Sequence, residues 1–453
     1  MTLARSRHPS HRSVAIASMW PTVLACGICA IVIVAASVGL LAATLHLTSD
    51  ARIEANLREA VKRGVLQSVS YPTSPFGHVG HGYDMFTDCV ALGINLSNQS
   101  DGISRRMAAS PFVGRNTVEF LVPEHPCEIL VTALQGGAAR ADAQYVRFWH
   151  GYQVIVRPML SVMSLENLRR AVATLFFAAL LFFALQIVRR FGPWGAATLL
   201  PFFLVGDFLS VPALITHALA LAWIFASAAL VPVIIERVPN ARDVVLPAYV
   251  FAAGMIANFI GFLVNPPMAP TLIAFLAIAC SNDWGRQLGL RNMLYGAGLV
   301  VLWFAGYVIE WIAKWVFAAL VLGSDMVFGN VFARINQYGS ERAENAWGFL
   351  HPTISNLAPN YLYFGCIIIS VSAAFAIIAI GAAKRRKTED DVVDFLVMLS
   401  PLLTIIGWVE ANPSHSSIHV GFVTRSFLLF SMIPLLAALL VWRRGTPAPE
   451  KLP

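Results

Sequence analysis

Apolar residues run in long blocks along this chain, from Trp20 to Trp442, and the breaks between blocks are short and polar. A water-facing helix shows an apolar stripe every three or four residues, and a half-buried strand alternates. Blocks of about 20 apolar residues instead match helices that cross the hydrocarbon core of a bilayer. The pattern predicts ten spans, at 21–46, 171–188, 193–212, 216–235, 244–264, 268–281, 293–322, 361–383, 392–408 and 426–442. The sixth is short for a crossing and the seventh is long. The fold class that follows is an all-α polytopic membrane protein with about ten transmembrane helices.

One polar interval is long enough to be a domain outside the membrane, residues 47–168, and it is expected to mix helix and strand. It opens at about Ser49–Gln67 with Ile53, Leu57, Val61 and Val65 at every fourth position, a helix with one apolar face that lies on the membrane or packs on the bundle. Tyr71–Tyr83 is rich in Pro, Gly and His and reads as an ordered loop. Thr117–Val122 and Ile129–Ala133 are strand-like, with a short helical turn as the alternative, and Tyr145–Leu160 is amphipathic where the chain re-enters the interface. The organisation is then a tail at 1–20, an anchor helix at 21–46, the first-loop domain at 47–168, a bundle of about nine helices at 169–443 and a second tail at 444–453. Smaller loops near 323–361 and 410–425 lie on the same side as the domain.

Charge adds orientation. Arg5, Arg7, Arg12, Arg189, Arg190, Arg237, Arg242, Arg286, Arg291, Lys384–Lys387, Arg443, Arg444 and Lys451 all fall on one side of the predicted spans. Short basic loops stay in the cytoplasm while long loops translocate regardless of charge, so both termini are expected inside and the domain outside. The net charge of +7 therefore reports topology and not nucleic-acid binding. The first apolar run, some 26 residues, exceeds a signal-peptide core and reads as a retained anchor, with cleavage after Ala42 or Ala43 as the alternative. Cys89 and Cys127 are the only cysteine pair in the outer domain, where the compartment is oxidising, and are expected to form a disulfide. The CxxC of Cys26 and Cys29 lies in the first span and carries no redox meaning there.

Candidate chemistry gathers on the outer side. Asp84 and Asp88 stand at i, i+4 in GYDMFTDC; one of them, lifted in pKa by apolar surroundings, could serve as a general base, and the plainer alternative is a helix cap plus a solvated charge. Arg147, Trp149, His150, Tyr152 and Arg157 interleave cations and rings, a set suited to an anionic lipid headgroup or a sugar, or else to an interfacial anchor belt. Asn412, His415 and His419 precede Arg425 at the start of the last span; the histidine pair could bind a divalent metal if helical, yet no obvious third and fourth ligands accompany it apart from the distant His78 and His81, and contact with a phosphate fits as well. Arg334 lies in the second outer loop. Within the membrane, Asp207, Asn258 and the i, i+4 pair Glu310 and Lys314 are costly groups for which function is the default expectation, with mutual neutralisation of Glu310 and Lys314 as the structural alternative.

An inside N-terminus, one anchor helix, a large first outer loop carrying an acidic residue and then a many-helix bundle resembles the GT-C superfamily of membrane glycosyltransferases. The stretch WHGY…RPML…LR, from Trp149 to Arg169, looks like the segment that leads into the second helix of those enzymes. The resemblance implies a polyprenyl-phosphate-linked sugar donor, a cell-envelope acceptor, Asp84 or Asp88 as base, and Lys314, Arg334 and Arg425 on the leaving phosphate. It also implies the bacterial inner membrane as location, a hexosyl- or pentosyltransferase as activity, and no cofactor beyond an optional divalent metal. The chain lacks the adjacent acidic pair common soon after the first helix in that superfamily. A lipid-linked glycan transporter or flippase, or a non-catalytic envelope-assembly protein, are the other classes. The first predicts Gly- or Pro-broken helices at matching positions in two halves, and the chain shows no such symmetry.

Overall fold

The computed structural model describes residues 20–69, 85–96, 102–113, 125–136, 143–206, 208–238, 243–261, 264–280, 288–344, 350–357, 361–385, 388–418 and 423–444. Asp84, Asp207, His419 and Thr117–Val122 lie outside the described residues, as does the side chain of Arg334.

The chain begins with α1 (Trp20–Leu47), a long apolar helix that buries only one face, through Cys26, Ser37, Leu41, Thr44 and Leu45. Helix α2 (Asp50–Lys62) follows at once, its first turn capped where Ser49 Oγ accepts the Arg52 amide at 3.4 Å. Its apolar stripe is buried as the four-residue spacing predicts, with Ile53 and Leu57 fully enclosed. The domain continues through α3 (Met85–Ile94), α4 (Ile103–Ala109), β1 (Pro111–Phe112), α5 (Pro126–Gln135), β2 (Ala143–Gln144) and α6 (Gln153–Val162). Two expectations are corrected here. Ile129–Ala133 belongs to helix α5: Pro126 sits in its first turn, and Cys127, Leu130, Val131 and Leu134 are buried at helical, not alternating, spacing. The domain is accordingly helical among its described residues, the only strand pairing being the two-residue antiparallel contact of β1 with β2. The expected Cys89–Cys127 disulfide is present and ties α3 to α5.

The bundle follows as α7 (Leu165–Phe191), α8 (Pro193–Val205), α9 (Ile215–Arg237), α10 (Val245–Ile260), α11 (Met268–Ala279), α12 (Leu290–Leu322), α13 (Ser324–Glu344), α14 (His351–Leu357), α15 (Tyr361–Arg385), α16 (Thr388–Leu399), α17 (Leu403–Ala411), α18 (Pro413–Ile418) and α19 (Leu429–Arg444). Among the described residues seven helical stretches are long and apolar enough to cross a membrane: α1, α7, α9, α12, Phe364–Gly381, Glu389–Ala411 and Thr424–Arg443. The last two are interrupted by 3-10 turns at Ser400–Leu402 and Thr424–Leu428. The predicted loop at 323–361 is in fact largely helical, forming α13 and α14.

Helix α11 has twelve residues, all buried, which explains why it is apolar all round and yet short: it is the centre of the bundle. Helices α10 and α12 cross closely because two glycines face each other's backbone. A Cβ on Gly254 would collide with the Trp303 carbonyl, and one on Gly306 with the Phe251 carbonyl. One apolar core runs without a break from Ile53, Cys89 and Leu130 in the domain to Phe176, Leu272 and Leu436 in the bundle. Apart from a small cluster of Val90, Ile94 and Phe112, the main core of the domain's described residues is thus continuous with that of the bundle, and the domain is built onto one end of it, here called the docking end.

Contacts define both ends. At the far end Arg189 pairs with Glu236, Thr22 donates to the Asp243 carbonyl at 2.8 Å, and the Leu288 amide donates to Asp394 at 2.6 Å. At the docking end Asn56 Nδ2 donates to the Leu160 carbonyl at 2.6 Å, and Glu410 accepts the Leu350 and Thr353 amides, both at 3.2 Å.

Candidate functional site

Tyr145–Tyr152 joins the domain to the bundle. It is held in an irregular turn by contacts that each need a particular residue. Gly151 packs flat on the end of α10, its amide donating to the Phe259 carbonyl at 2.8 Å, with no room for a side chain. His150 beside it takes the left-handed region at φ 55, a costly conformation for a residue with a Cβ. Its ring is fully enclosed, with Nε2 3.2 Å from the Tyr145 carbonyl and Nδ1 3.4 Å from the Tyr152 hydroxyl. Burial, and then the charges of Lys314 and Arg147, hold this imidazole well below its ordinary pKa of 6.5, against the Tyr145 hydrogen bond that favours the proton. Burial likewise raises the Tyr152 phenol well above its ordinary value.

Helix α12 meets this turn with a row of polar contacts. Trp149 Nε1 donates to the Glu310 carbonyl at 2.9 Å, and Trp311 and Trp315 donate to the Arg147 carbonyl at 2.7 and 3.1 Å. Lys314 Nζ donates to the Met107 and Ala108 carbonyls at 2.5 and 2.9 Å, so the cation caps the C-terminal end of α4, where the helix dipole is negative. It also lies 5.4 Å from the Trp149 ring centroid. The expected Glu310–Lys314 neutralisation does not occur: the lysine turns to α4, and the fully buried Glu310 carboxylate makes no hydrogen bond among the described residues, with Ser37 the hydroxyl facing it.

Asp88 is fully buried at the start of α9. Its Oδ2 accepts the Ile215 amide at 2.7 Å, and its Oδ1 accepts the Thr216 amide at 3.0 Å and hydroxyl at 2.7 Å. These are orphan donors of the first turn of a helix, so a domain carboxylate caps a bundle helix. Burial raises its pKa in spite of the Thr216 and Ile215 hydrogen bonds and the nearby Arg169 charge. With both oxygens engaged and no exposed surface, Asp88 acts as a helix cap, and the geometry offers no path to a general base.

The residue after Thr216 is His217, and it begins the arrangement with most chemical potential. Arg425, in the 3-10 turn before α19, lies buried with Nη1 3.4 Å from His217 Nδ1 and Nη2 donating to Ser210 Oγ at 3.3 Å. The next residue, Ser426, donates to Asn265 Oδ1 at 2.9 Å. Val264 and Pro266, flanking Asn265, line a cleft together with Ala220, one turn beyond His217 on α9. Its walls are Trp223, Trp303 and Tyr307; its empty volume is about 320 Å³ with the open mouth counted, and its inner part has room for about one water. The Nδ2 of Asn265 and Nε1 of Trp303 are buried donors with no partner among the described residues, and the buried Asn258 amide faces the Tyr307 hydroxyl. His217, with Arg425 against it, thus stands one helical turn from an aromatic-walled cleft, and a guanidinium close to rings is a combination that suits an anionic headgroup.

The other predicted residues stand elsewhere. Arg157 is fully buried where α1 meets the domain, donating to the Asn95 carbonyl at 2.8 Å and Thr48 Oγ1 at 3.2 Å and pairing with Asp50, which Arg106 also grips at 2.9 Å. Burial lowers its pKa from the usual arginine value in spite of Asp50. Asn412 closes the end of α17 by donating to the Trp408 carbonyl at 3.0 Å, and His415 is buried on α18. No group of three His, Cys, Asp or Glu side chains that could hold a metal is found among the described residues. Sequence reasoning missed His217, Ser210 and Asn265, single polar residues in or beside apolar runs; a lone histidine at the start of a predicted span was the available signal. Comparison with protein-family models, with curated proteins and with solved structures finds no match to this chain.

Proposed function

We propose that the chain is a membrane glycosyltransferase of GT-C type that moves a sugar from a polyprenyl-phosphate donor to a cell-envelope acceptor at the outer face of the inner membrane. Counting α8, α10 and α11 as crossings gives ten, with the start of α1 and the end of α19 at the far end beside Arg189, Arg190, Arg237 and Arg443, the basic side expected in the cytoplasm. The observation that carries the reading is the buried Arg425–His217–Ser210 cluster, with His217 one helical turn from Ala220 of the Trp223–Trp303–Tyr307 cleft, at the end where the domain docks.

In the reaction a base removes the acceptor hydroxyl proton, and the freed oxygen attacks the anomeric carbon. The bond from that carbon to the phosphate oxygen breaks, and its electron pair leaves on the polyprenyl phosphate. Arg425 stabilises that charge in a water-poor setting, with His217 orienting the guanidinium. Since Asp88 is engaged on α9, the base assigned is Asp84, which lies outside the described residues. The same engagement is what favours the second reading, a non-catalytic envelope-assembly protein.

Purified protein incubated with a panel of polyprenyl-phosphate sugars and an envelope acceptor fraction is expected to release polyprenyl phosphate. Arg425→Ala should lower release at least a hundredfold, Arg425→Lys less, and Asp84→Asn should abolish it with the fold intact. Absence of release from folded wild-type protein with every donor would overturn the transferase reading in favour of assembly or transport.

A further inference from the structure

Arg147 does not line the cleft, and its guanidinium has no part in the proposed transfer. Its side chain is 7 % exposed, makes no ion pair and leaves Nη1 buried without a hydrogen-bond partner among the described residues. Its one side-chain contact is a cation–π approach, the guanidinium carbon 4.8 Å from the Tyr145 ring centroid. Burying the Nη1 donor unmet is costly, so it calls for an acceptor that no described residue supplies. The Ser110 hydroxyl is a second buried donor without a partner among the described residues, and it belongs to the same turn, since the carbonyls of Ser110 and Ala109 receive the Tyr145 amide.

Two further observations give the chemistry of the missing group. Lys314 and Arg147 both bear on His150, and no carboxylate pairs with either cation among the described residues, so the local charge is positive. The backbone of Arg147 is fastened by Trp311 and Trp315, and from that level toward the far end of α12 the side chains of Ile312, Ile309, Val308 and Val301 are exposed and apolar. Tryptophans donating from a lipid-facing helix mark the level of the headgroups.

We propose that Arg147, with the Ser110 hydroxyl of the same turn, holds the phosphate of a membrane lipid at the seam between the first-loop domain and α12. The ligand class is a phosphate ester on a lipid tail, either an anionic phospholipid or a polyprenyl phosphate. The tail would run down the exposed face of α12, and the phosphate would accept from the guanidinium fork. This site is independent of the transferase reading and stands whether or not sugar transfer is observed.

The test uses the full chain in detergent, stripped of lipid and titrated separately with phosphatidylglycerol, a polyprenyl phosphate, phosphatidylcholine and inorganic phosphate, bound species being counted by native mass spectrometry. Wild-type protein is expected to bind one or both lipid phosphates well above phosphatidylcholine, and whichever binds tighter identifies the source. Arg147→Met should weaken that binding about tenfold or more, the scale of one hydrogen bond to a charged group, with Arg147→Lys between. Equal binding by wild type and Arg147→Met, or binding of inorganic phosphate alone, would overturn the proposal. Should the variants aggregate, a photoactivatable phosphatidylglycerol on wild-type protein decides it. Cross-links within 143–152 or 301–315 support the site, and cross-links only elsewhere refute it.

Discussion

Asp88 shows how far one carboxylate can be read from its neighbours in sequence and how far it cannot. The i, i+4 spacing to Asp84 is compatible with a paired acid site and with a cap; the choice belongs to Ile215 and Thr216, more than a hundred residues away. A cap on a buried helix start contributes about 1–2 kcal/mol, and stranding its donors costs more. Asp88→Ala is therefore expected to destabilise the protein by about 2–3 kcal/mol. Asp88→Asn, which keeps one acceptor oxygen, should cost less than half of that. Thermal midpoints of the two variants in detergent check the order, and a larger loss for Asn than for Ala would refute the capping assignment. His217, Ser210 and Arg425 make the same point: each is a single polar residue, and only their meeting gives them a role.

At the scale of elements, charged side chains repeatedly close the ends of helices to which they do not belong. Asp88 closes α9, Glu410 closes α14, and Lys314 closes the carbonyl end of α4. Each places the charge that the helix dipole favours at that end. Close crossing of helices within an apolar bundle is set differently, by residues too small to keep backbones apart. Gly254 and Gly306 are such a pair on α10 and α12, and their cleft-facing neighbours Trp303 and Tyr307 ride on that crossing. Gly254→Ala and Gly306→Ala should each cost about 1–3 kcal/mol, because the nearest atom is backbone and cannot rotate away. Gly298→Ala, which meets nothing within 4 Å, is the matched control on the same helix and should be neutral or slightly stabilising. Indistinguishable melting of all three variants would remove the close crossing as a stability determinant.

For the whole molecule, domain and bundle share one core, and their seam contains an imidazole kept neutral by burial. The folded pKa of His150 lies well below the 6.5 of the open chain, so below about pH 6.5 the open state takes up a proton that the docked state refuses. Stability is then fully present above that pH and falls as the solution is acidified, by up to about 1.4 kcal/mol per pH unit from this residue. Asp88, with its pKa raised, contributes in the opposite sense, since docking keeps its proton to higher pH. The measurement is therefore a comparison: the melting temperature of His150→Gln should fall less than that of wild type between pH 7.5 and 5.5, and equal slopes would refute the seam's role. The all-helical, many-span character, the Cys89–Cys127 bridge and the stripe of α2 were legible in the sequence, because long apolar runs, a lone cysteine pair and four-residue spacing each leave few alternatives. Ile129–Ala133 was not, because so short an apolar run suits strand or helix, and Cys127, Leu130 and Leu134 meeting the core as a helix decided it. Nor could spacing show that Glu310 and Lys314 part company, because Lys314 is drawn to the carbonyls of α4, two hundred residues earlier in the chain. Hydrophobic length and local spacing are properties of neighbours in sequence, and they determined which segments enter the bundle. Which polar groups meet, and hence where Arg425 finds His217 while Arg147 Nη1 finds no acceptor among the described residues, is a property of neighbours in space that only the tertiary structure decided.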